Sequence, residues 1–520
     1  RFYDRILRVV LRHQFAVLLI TIGTVCVNGY LFYVVPKGFF PQQDTGRING
    51  AVQGDQDTSF ANMSDKLKQF TNVVLEDPAV ETATSFVGGG GGSSTGRMFA
   101  QLKPLEERKM SSDEVIARIR RKAARIPGAA LFMQSVQDLS IGGRFGAAQY
   151  QYTLQAENLN DLNAWAPKLL EAIKKVPGIN DANSDQQVRG LQSTLVVDRD
   201  TASRLGVSLQ DVDNTLSDAF GQRQVSNIYK GLNQYHVVLD VLPQYTQGPD
   251  GLNHIYLPSS SGKVVPLGAF AHYEPTSTSL SVNHQGLVPS ITLSFNLDPS
   301  LPLGDAVKKI QETQAQLHMP PTVHGGFQGT AQTFQDSQSS VLVLVLTALA
   351  AVYIILGILY ESFIHPVTII LATIPSAGVG ALLFLLFFKI ELTLIAFIGI
   401  ILLIGIVKKN AIMMIDFALE AERREGKSPL DAIYEACLLR FRPIMMTTMA
   451  ALLGGLPLAL DTGTGSELRR PLGITIVGGL LLSQLLTLYT TPVVYLAFDW
   501  LAKRIRFRIG RPVGQPAQAD

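Results

Sequence analysis

Six long apolar stretches constrain the fold of this 520-residue chain more than any other feature. A membrane-crossing helix needs about 20 consecutive apolar residues to span roughly 30 Å of hydrocarbon. About 300 polar, periodic residues separate the first stretch from the second. The sequence therefore predicts an α+β membrane protein with six transmembrane helices and one large polar insert. The predicted spans are about 13–35, 339–360, 366–388, 392–419, 443–460 and 471–499.

The composition agrees with this division and excludes several classes of protein. Hydrophobic residues make up 47% of the chain and charged residues 17%, so the apolar residues must be segregated. A net charge of +2 indicates no nucleic-acid partner. The two cysteines cannot form a disulfide framework, and the eight histidines have no ligand-like spacing, so we expect no metal site. The sequence contains no recognisable pair of a nucleophile and a base, so we do not expect an enzyme. The sequence shows no cleavable signal peptide, and its start at Arg1 in place of Met predicts a fragment, a processed piece or a separately produced domain.

Basic residues predict the orientation of the six spans. They cluster before the first span, between the fourth and fifth, and after the sixth, and six crossings put all three clusters on one side. Because Lys and Arg are enriched on the cytoplasmic side, the polar insert is expected outside the cytoplasm. The clusters are Arg1, Arg5, Arg8 and Arg12; Arg423, Arg424, Lys427, Arg440 and Arg442; and Lys503, Arg504, Arg506, Arg508 and Arg511.

The insert has the pattern of repeated α+β units. Alternating runs such as Arg47–Gln53 and Tyr150–Leu154 indicate half-buried strands. Amphipathic segments at about 58–75, 112–125 and 160–175 follow them. The sequence predicts two split β-α-β sandwiches, the second interrupted by a turn-rich insertion at roughly 196–276.

The pair Lys408 and Lys409 interrupts the fourth span, within the run LLIGIVKKNAIMMIDFAL. A cation in hydrocarbon costs about 3 kcal/mol on insertion scales, so it normally has a partner or a function. Apart from Asp499, the last residue of the sixth predicted span, Asp416 is the one acid inside a predicted span, and it lies roughly 10 Å along the same helix from Lys409. Either the span ends at Lys408 and both lysines lie in cytoplasmic water, or their partner lies on chain outside this sequence.

Polar residues also recur in the fifth and sixth spans. A lysine facing them would suit a proton pathway, because its charge responds to a carboxylate that gains and loses a proton. Small residues four apart, Ser376 with Gly380 and Ala377 with Ala381, predict closely packed helices. The polar positions are Thr447, Thr448, Ser483, Gln484 and Thr487.

A glycine run in the insert is either a flexible loop between two strands or a functional switch loop. A phosphate-binding P-loop would need a lysine after the glycines, and none follows. The run consists of Gly88, Gly89, Gly90, Gly91 and Gly92.

Several motifs together resemble the C-terminal half of the RND (resistance-nodulation-division) multidrug efflux transporters. They are GIVKKNAIMMIDFALEAER, LRFRPIMMTT, ILYESFIHP, PKGFFPQQD and, at Val196–Val212, VVDRDTASRLGVSLQDV. The resemblance covers nearly the whole chain. Within that family it is strongest to the heteromeric-pump branch of the MdtB/MdtC and MuxB/MuxC type.

The resemblance implies a secondary transporter: drug:proton antiport of amphiphilic or hydrophobic compounds by a tripartite pump, without a cofactor and with protons as the coupling ion. It also implies a domain layout. Residues 1–36 would hold the N-terminus and first helix, and 37–137 a first porter subdomain. A second porter subdomain would comprise 138–195 and 277–335, a docking subdomain 196–276, five further helices 336–500, and a basic cytoplasmic tail 501–520.

Candidate site residues follow from the motifs. Lys409 matches the family's proton-relay lysine and Asn410 its neighbour, while Arg440 and Thr447 match residues grouped with that relay. The family's proton-accepting aspartates lie in the N-terminal half, outside this sequence. Phe86 and Phe99 flank the glycine run where the family has an aromatic substrate pocket. The five glycines depart from the family's aromatic loop, so both rings could instead be strand-core residues.

The resemblance implies partners as well. They are the N-terminal half of the same transporter, other RND subunits in a hetero- or homotrimer, a periplasmic adaptor protein and an outer-membrane channel. The expected location is the bacterial inner membrane with a large periplasmic domain. The competing interpretation is a SecDF-like or lipid-sensing relative that exports no drug. The SecDF-like alternative predicts membrane carboxylates elsewhere and no docking insertion.

Overall fold

A computed structural model describes residues 2–88, 92, 94–139, 141–142, 146, 148–242, 245 and 249–508. The helices are α1 (Phe2–Arg12), α2 (Gln14–Val34), α3 (Phe60–Leu75), α4 (Leu105–Arg108), α5 (Ser112–Ala123), α6 (Leu159–Lys174), α7 (Arg199–Arg204), α8 (Leu209–Phe220), α9 (Leu303–Gln316), α10 (Thr330–Tyr360), α11 (Ile364–Phe387), α12 (Leu394–Glu425), α13 (Pro429–Leu460) and α14 (Ser466–Arg508). The strands are β1 (Arg47–Gly54), β2 (Val80–Val87), β3 (Thr95–Leu102), β4 (Ala129–Ser135), β5 (Tyr150–Ala156), β6 (Ile179–Ser184), β7 (Gly190–Val197), β8 (Arg223–Lys230), β9 (Asn233–Leu239), β10 (Tyr256–Pro258), β11 (Val264–Pro266), β12 (Ala271–Thr278), β13 (Asn283–Gln285), β14 (Val288–Leu297) and β15 (Val323–Gln328).

The first sheet is antiparallel, with strand order β2-β3-β1-β4. Helices α3 and α5 pack on one face of it, where Phe70 and Ile119 are fully buried with Met98 of β3. Both helices begin directly after a serine that caps them. The Ser59 side chain accepts from the Asn62 backbone N–H, and Ser111 forms a capping box with Glu114.

The second sheet has the order β13-β14-β5-β15, and β6 also pairs with β14. Helices α6 and α9 pack against it over a core that includes Tyr152, Leu162 and Phe295. The strands that pair here lie on both sides of a long insertion, because β5 and β6 precede it while β13, β14 and β15 follow it.

The insertion forms a compact unit of its own, residues 55–58 and 186–282. The predicted insertion, 196–276, lies within it. Strands β7 and β12 pair antiparallel, from Gly190 opposite Thr278 to Val197 opposite Ala271, and so extend the unit beyond those limits. Its core contains Val212, Leu257 and Phe270.

Helices long and apolar enough to cross a membrane number six within the described residues: α2 and α10 to α14. Two of them begin well before the apolar stretch that predicted them, α10 at Thr330 and α13 at Pro429. The reason is that hydropathy detects only the apolar turns of a helix. Polar turns precede them, and α13 is capped by the Ser428 side chain, which accepts from the Asp431 N–H.

Small residues allow α11 and α14 to approach closely, as their spacing predicts. A Cβ added at Gly380 would lie 2.6 Å from the carbonyl oxygen of Gly478 and 2.8 Å from the Cα of Gly479. Ser376, Ala377 and Gly380 of α11 all lie on its buried side.

Candidate functional site

A closed polar triangle joins three of the apolar helices. The Asn410 side-chain amide on α12 donates to the Thr448 hydroxyl on α13 at 3.1 Å and to Gln484 Oε1 on α14 at 3.3 Å. The Thr448 hydroxyl donates to the same Gln484 oxygen at 2.9 Å. All three side chains are buried. Among apolar helices such contacts fix which helix faces meet, because an unpaired polar group there is costly.

The backbone of α12 determines which residue enters this triangle. Leu403, Val407, Asn410, Ala411 and Met414 are buried at helical spacings of three and four. The Asn410 side chain therefore points from α12 toward α13 and α14. The remaining Gln484 amide nitrogen lies 3.2 Å from the Met445 sulfur, a weak acceptor.

The two lysines point in different directions, because successive helical residues are about 100° apart. Lys408 is buried, with 9% of its surface accessible, whereas Lys409 is exposed. Helix α12 continues to Glu425, so it does not end at the lysines. Lys409 shares its exposed side with Gly405 and Asp416, and within the described residues it forms no salt bridge. Thr448 of α13 and Gln484 of α14 thus face Asn410 and not Lys409.

Arg440 and Thr447 lie on α13, outside the triangle. The Arg440 guanidinium carbon is 5.1 Å from the centre of the Phe417 ring, a cation–π arrangement with α12. Its Nε is buried without a hydrogen-bond partner in the described part of the chain. The Thr447 hydroxyl donates to its own helix, 3.2 Å from the carbonyl oxygen of Pro443 and 3.1 Å from that of Ile444.

The structure therefore brings one of the four predicted relay residues, Asn410, into a network across the helices. Thr448 and Gln484 complete that network. Both are among the polar positions that the sequence predicts in the fifth and sixth spans, but neither is among the four relay residues. What the sequence could not show is that Thr448, and not its neighbour Thr447, faces α12.

Phe86 and Phe99 lie side by side on the open face of the first sheet. Their ring centres are 6.1 Å apart and the planes are 27° from parallel. Both side chains are exposed, at 44% and 41%, on the face opposite α3 and α5. The alternative that they are strand-core residues is therefore wrong. Together they form an apolar surface on which a planar or hydrophobic ligand can pack.

The predicted switch loop lies at the end of the strands that carry these rings. Gly89, Gly90 and Gly91 lie outside the described residues. Gly88 and Gly92 have φ of +94° and +82°, conformations that favour glycine. The Gly88 N–H donates to the Thr95 carbonyl at 2.8 Å and continues the pairing of β2 with β3.

A cavity of about 840 Å³ lies on the helix side of the first sheet, next to the loop between α11 and α12. Phe39, Phe40 and Ile116 supply apolar walls, and the carboxyl groups of Glu391 and Glu467 line it as well. Burial raises the pKa of the Glu391 carboxyl, and the nearby Asp305 carboxylate raises it further. The cavity is thus distinct from the sheet face that carries the phenylalanine pair.

Comparison with known proteins places these features in a family. The family model described as AcrB/AcrD/AcrF matches residues 1–499. Multidrug resistance protein MdtC of Klebsiella pneumoniae (strain 342) is 53% identical over 514 residues, which cover 99% of this chain and 50% of that protein. MdtC of Serratia proteamaculans (strain 568) is 55% identical over 509 residues, 98% of this chain and 49% of the relative. The chain spans about half the length of the curated relatives it matches.

A solved structure supports the fold. The crystal structure of a heavy metal efflux pump superposes with a TM-score of 0.86 at 22% identity, covering 96% of this chain and 52% of that one. The resemblance to RND transporters is thereby confirmed, and the chain belongs to the AcrB/AcrD/AcrF family.

Proposed function

We propose that this chain is the C-terminal half of a proton-driven drug exporter of the bacterial inner membrane. Its six apolar helices would cross the membrane, and the residues between α2 and α10 would lie in the periplasm. The distribution of basic residues supports this orientation. The relatives support the other two parts of the proposal, because they are called multidrug resistance proteins and are about twice as long.

The observation that carries the proposal is that Lys409 is exposed while its neighbour Asn410, about 100° away around the helix, is buried. Asn410 fixes α12 to α13 and α14, while Lys409 next to it projects from the exposed side of the same helix. A carboxylate on the N-terminal half, across the bundle, would pair with Lys409 while ionised. Protonation of that carboxylate would release the lysine. The hydrogen bonds of Asn410 would then make α12 move together with its two neighbours.

Movement of α12 could reach the periplasmic part through direct contacts. The loop that precedes α12 is joined to the segment after α2, since the Leu392 N–H donates to the Pro36 carbonyl at 2.7 Å and the Leu394 N–H to the Phe39 carbonyl at 3.0 Å. One elementary charge that crosses a potential of 100 mV supplies about 2.3 kcal/mol, enough to bias such a two-state equilibrium.

The substrates would be amphiphilic or hydrophobic compounds, and no cofactor other than the coupling proton would be needed. The pair Phe86 and Phe99 would contact the apolar part of the substrate, beside the switch loop 88–92. Arg440 and Thr447 would favour one of the two relay states. The unit 186–282 would take part in docking to other subunits of a trimer, to a periplasmic adaptor and, through it, to an outer-membrane channel.

A resistance assay tests the proposal. Cells without their own pumps would express the full-length gene, with its partner subunit where one is needed, and carry Lys409→Met or the matched variant Lys408→Met. Both changes remove a charge and keep the length of the side chain. We expect Lys409→Met to abolish resistance at normal expression, and Lys408→Met to reduce it far less. Full resistance with Lys409→Met would refute the relay assignment.

A further inference from the structure

Helix α1 lies directly before α2 and is held in one orientation by its buried side. Tyr3, Leu7 and Leu11 are buried against the apolar helices. The Tyr3 hydroxyl donates to the Leu488 carbonyl of α14 at 3.1 Å, and its ring stacks on Phe441 of α13 with centres 4.5 Å apart. These contacts fix which residues of α1 face away from the protein.

A second sector of α1 is basic. Arg5, Arg8 and Arg12 follow each other at spacings of three and four, so they lie on one side of the helix, and all three are exposed. Arg8 donates from Nε and Nη2 to Asp4 and from Nε also to the Tyr434 hydroxyl, but among the residues that the structure describes it keeps its other amino group free of protein partners and 68% of its side chain accessible. Arg5 and Arg12 form no salt bridge within the described residues. The sector thus presents guanidinium groups with free donors.

A third sector of α1 is apolar and exposed. Phe2 and Val9 are 79% and 58% exposed, and at seven residues apart they lie nearly in line. Phe15, in the first turn of α2, is 80% exposed. Large apolar side chains exposed to water are unfavourable, and here they lie on α1 and in the first turn of α2, a helix that is apolar enough to cross a membrane. This position places them at the bilayer surface.

The order of the sectors around the helix identifies the ligand. One side of α1 is bound to the protein, the opposite side is apolar, and the arginines lie between them. A helix at the membrane surface has this arrangement, with apolar residues among the acyl chains and cationic residues at the headgroups. Guanidinium groups bind phosphate oxygens through paired N–H donors. Exposed apolar residues beside a basic sector at the bilayer surface fit a lipid better than they fit a soluble protein partner.

We propose that α1 is a binding site for anionic phospholipid headgroups, with Arg5, Arg8 and Arg12 as the phosphate contacts and Phe2 and Val9 inserted at the acyl-chain boundary. The inference goes beyond the proposed export activity and uses only its membrane orientation, which places the site in the cytoplasmic leaflet. A basic residue at such a surface contributes about fivefold in affinity for an anionic membrane, and the effect falls as salt rises.

Native mass spectrometry of the full-length transporter tests this site. The purified protein would be titrated with dimyristoyl phosphatidylglycerol and, separately, with dimyristoyl phosphatidylcholine, and the first dissociation constants compared. We expect Arg5→Gln/Arg12→Gln to weaken binding of phosphatidylglycerol by at least tenfold and that of phosphatidylcholine, whose phosphate is balanced by the choline cation, far less. Arg5→Lys/Arg12→Lys, which keeps the charge, should retain most of the preference.

Two controls make the outcome specific. Arg121→Gln/Arg125→Gln removes two exposed arginines at the far end of α5 and should have no effect. Lys409→Met should leave the lipid preference intact, so the lipid site and the proton relay can fail separately. The proposal is overturned if the wild-type protein shows no preference for phosphatidylglycerol, which would mean that the N-terminal half covers this face. An equal preference in the Gln double variant would overturn it as well.

Discussion

Asn410 and Thr448 form a buried hydrogen bond of 3.1 Å between α12 and α13, and both also contact Gln484 of α14. This contact ties the helix that carries Lys409 to its neighbours. Because Lys409 itself is exposed, the residue that holds the bundle and the residue proposed to sense the proton are adjacent in sequence but point in different directions, about 100° apart around the helix. The packing role of Asn410 and the proposed relay role of Lys409 can therefore be tested separately.

Removing the Thr448 hydroxyl should destabilise the helix bundle. Thr448→Val leaves the Asn410 amide with one partner fewer, and the loss of a buried hydrogen bond costs about 1 to 3 kcal/mol. Thr447→Val is the matched control, because the Thr447 hydroxyl bonds only to carbonyls of its own helix. Thermal unfolding of the purified transporter should show a lower Tm for Thr448→Val than for Thr447→Val. Equal Tm values would show that the triangle does not hold the helices together.

Close packing of α11 on α14 should make Gly380 intolerant of a larger residue. In Gly380→Ala the new Cβ would lie 2.6 Å from the Gly478 carbonyl oxygen, so the backbones must separate. Such overpacking typically costs about 1 to 3 kcal/mol. At Gly454 of α13 no atom lies within 4 Å of the added Cβ, which makes Gly454→Ala the control. A chemical-denaturation series in detergent should rank Gly380→Ala as clearly less stable, and the reverse order would contradict the observed packing.

A buried ion pair should matter in the first sheet unit. The Asp77 carboxylate has no accessible surface and receives two hydrogen bonds from the Arg118 guanidinium, at 2.5 and 2.7 Å. Asp77→Ala leaves the arginine partly buried without its partner, a loss of about 3 to 5 kcal/mol. Asp65, paired with Lys68 at an exposed position, is the control, since exposed pairs contribute about 0 to 1 kcal/mol. Limited proteolysis should cleave Asp77→Ala much faster than Asp65→Ala, and similar rates would contradict this account.

The Glu391 carboxyl should give the protein a pH-dependent stability. Burial raises its pKa above the unfolded value of 4.5, so its proton is held more tightly in the folded state. The advantage is fully present below about pH 4.5 and is lost as pH rises through the folded pKa. Glu391→Gln removes this loss. The Tm of the variant minus that of the wild type should therefore increase as the pH rises from 5 to 8. Glu81→Gln, at an exposed strand position, should show no such gain, and a constant Glu391→Gln difference would refute the assignment.

Much of the fold could be predicted because its signals are local. The amphipathic segments at about 58–75 and 112–125 predict α3 and α5 to within two residues at each end, and alternation indicates β1 and β5. Helix α1 was missed because its buried stripe is short and interrupted by arginines. These arginines offset the apolar residues around them, although every fourth residue from Tyr3 to Leu11 is buried.

The directions in which the site residues point could not be predicted from the sequence. Motifs identified Lys409, Asn410, Arg440 and Thr447, but hydropathy does not give the rotation of a helix that is apolar on every side. That rotation puts Asn410 inward and Lys409 outward. It depends on contacts with distant helices, above all those of Thr448 and Gln484, which no local pattern encodes.

The most direct test of the central claim is proton flux through the full-length transporter in proteoliposomes loaded with a pH-sensitive dye. Wild type, Lys409→Met and Lys408→Met would be compared at equal protein content after size-exclusion chromatography has confirmed the same assembly. The account predicts drug-stimulated proton flux in the wild type, none above background in Lys409→Met, and retained flux in Lys408→Met. Wild-type flux in Lys409→Met would contradict the account, because the proton would then cross without the lysine that this helix turns outward.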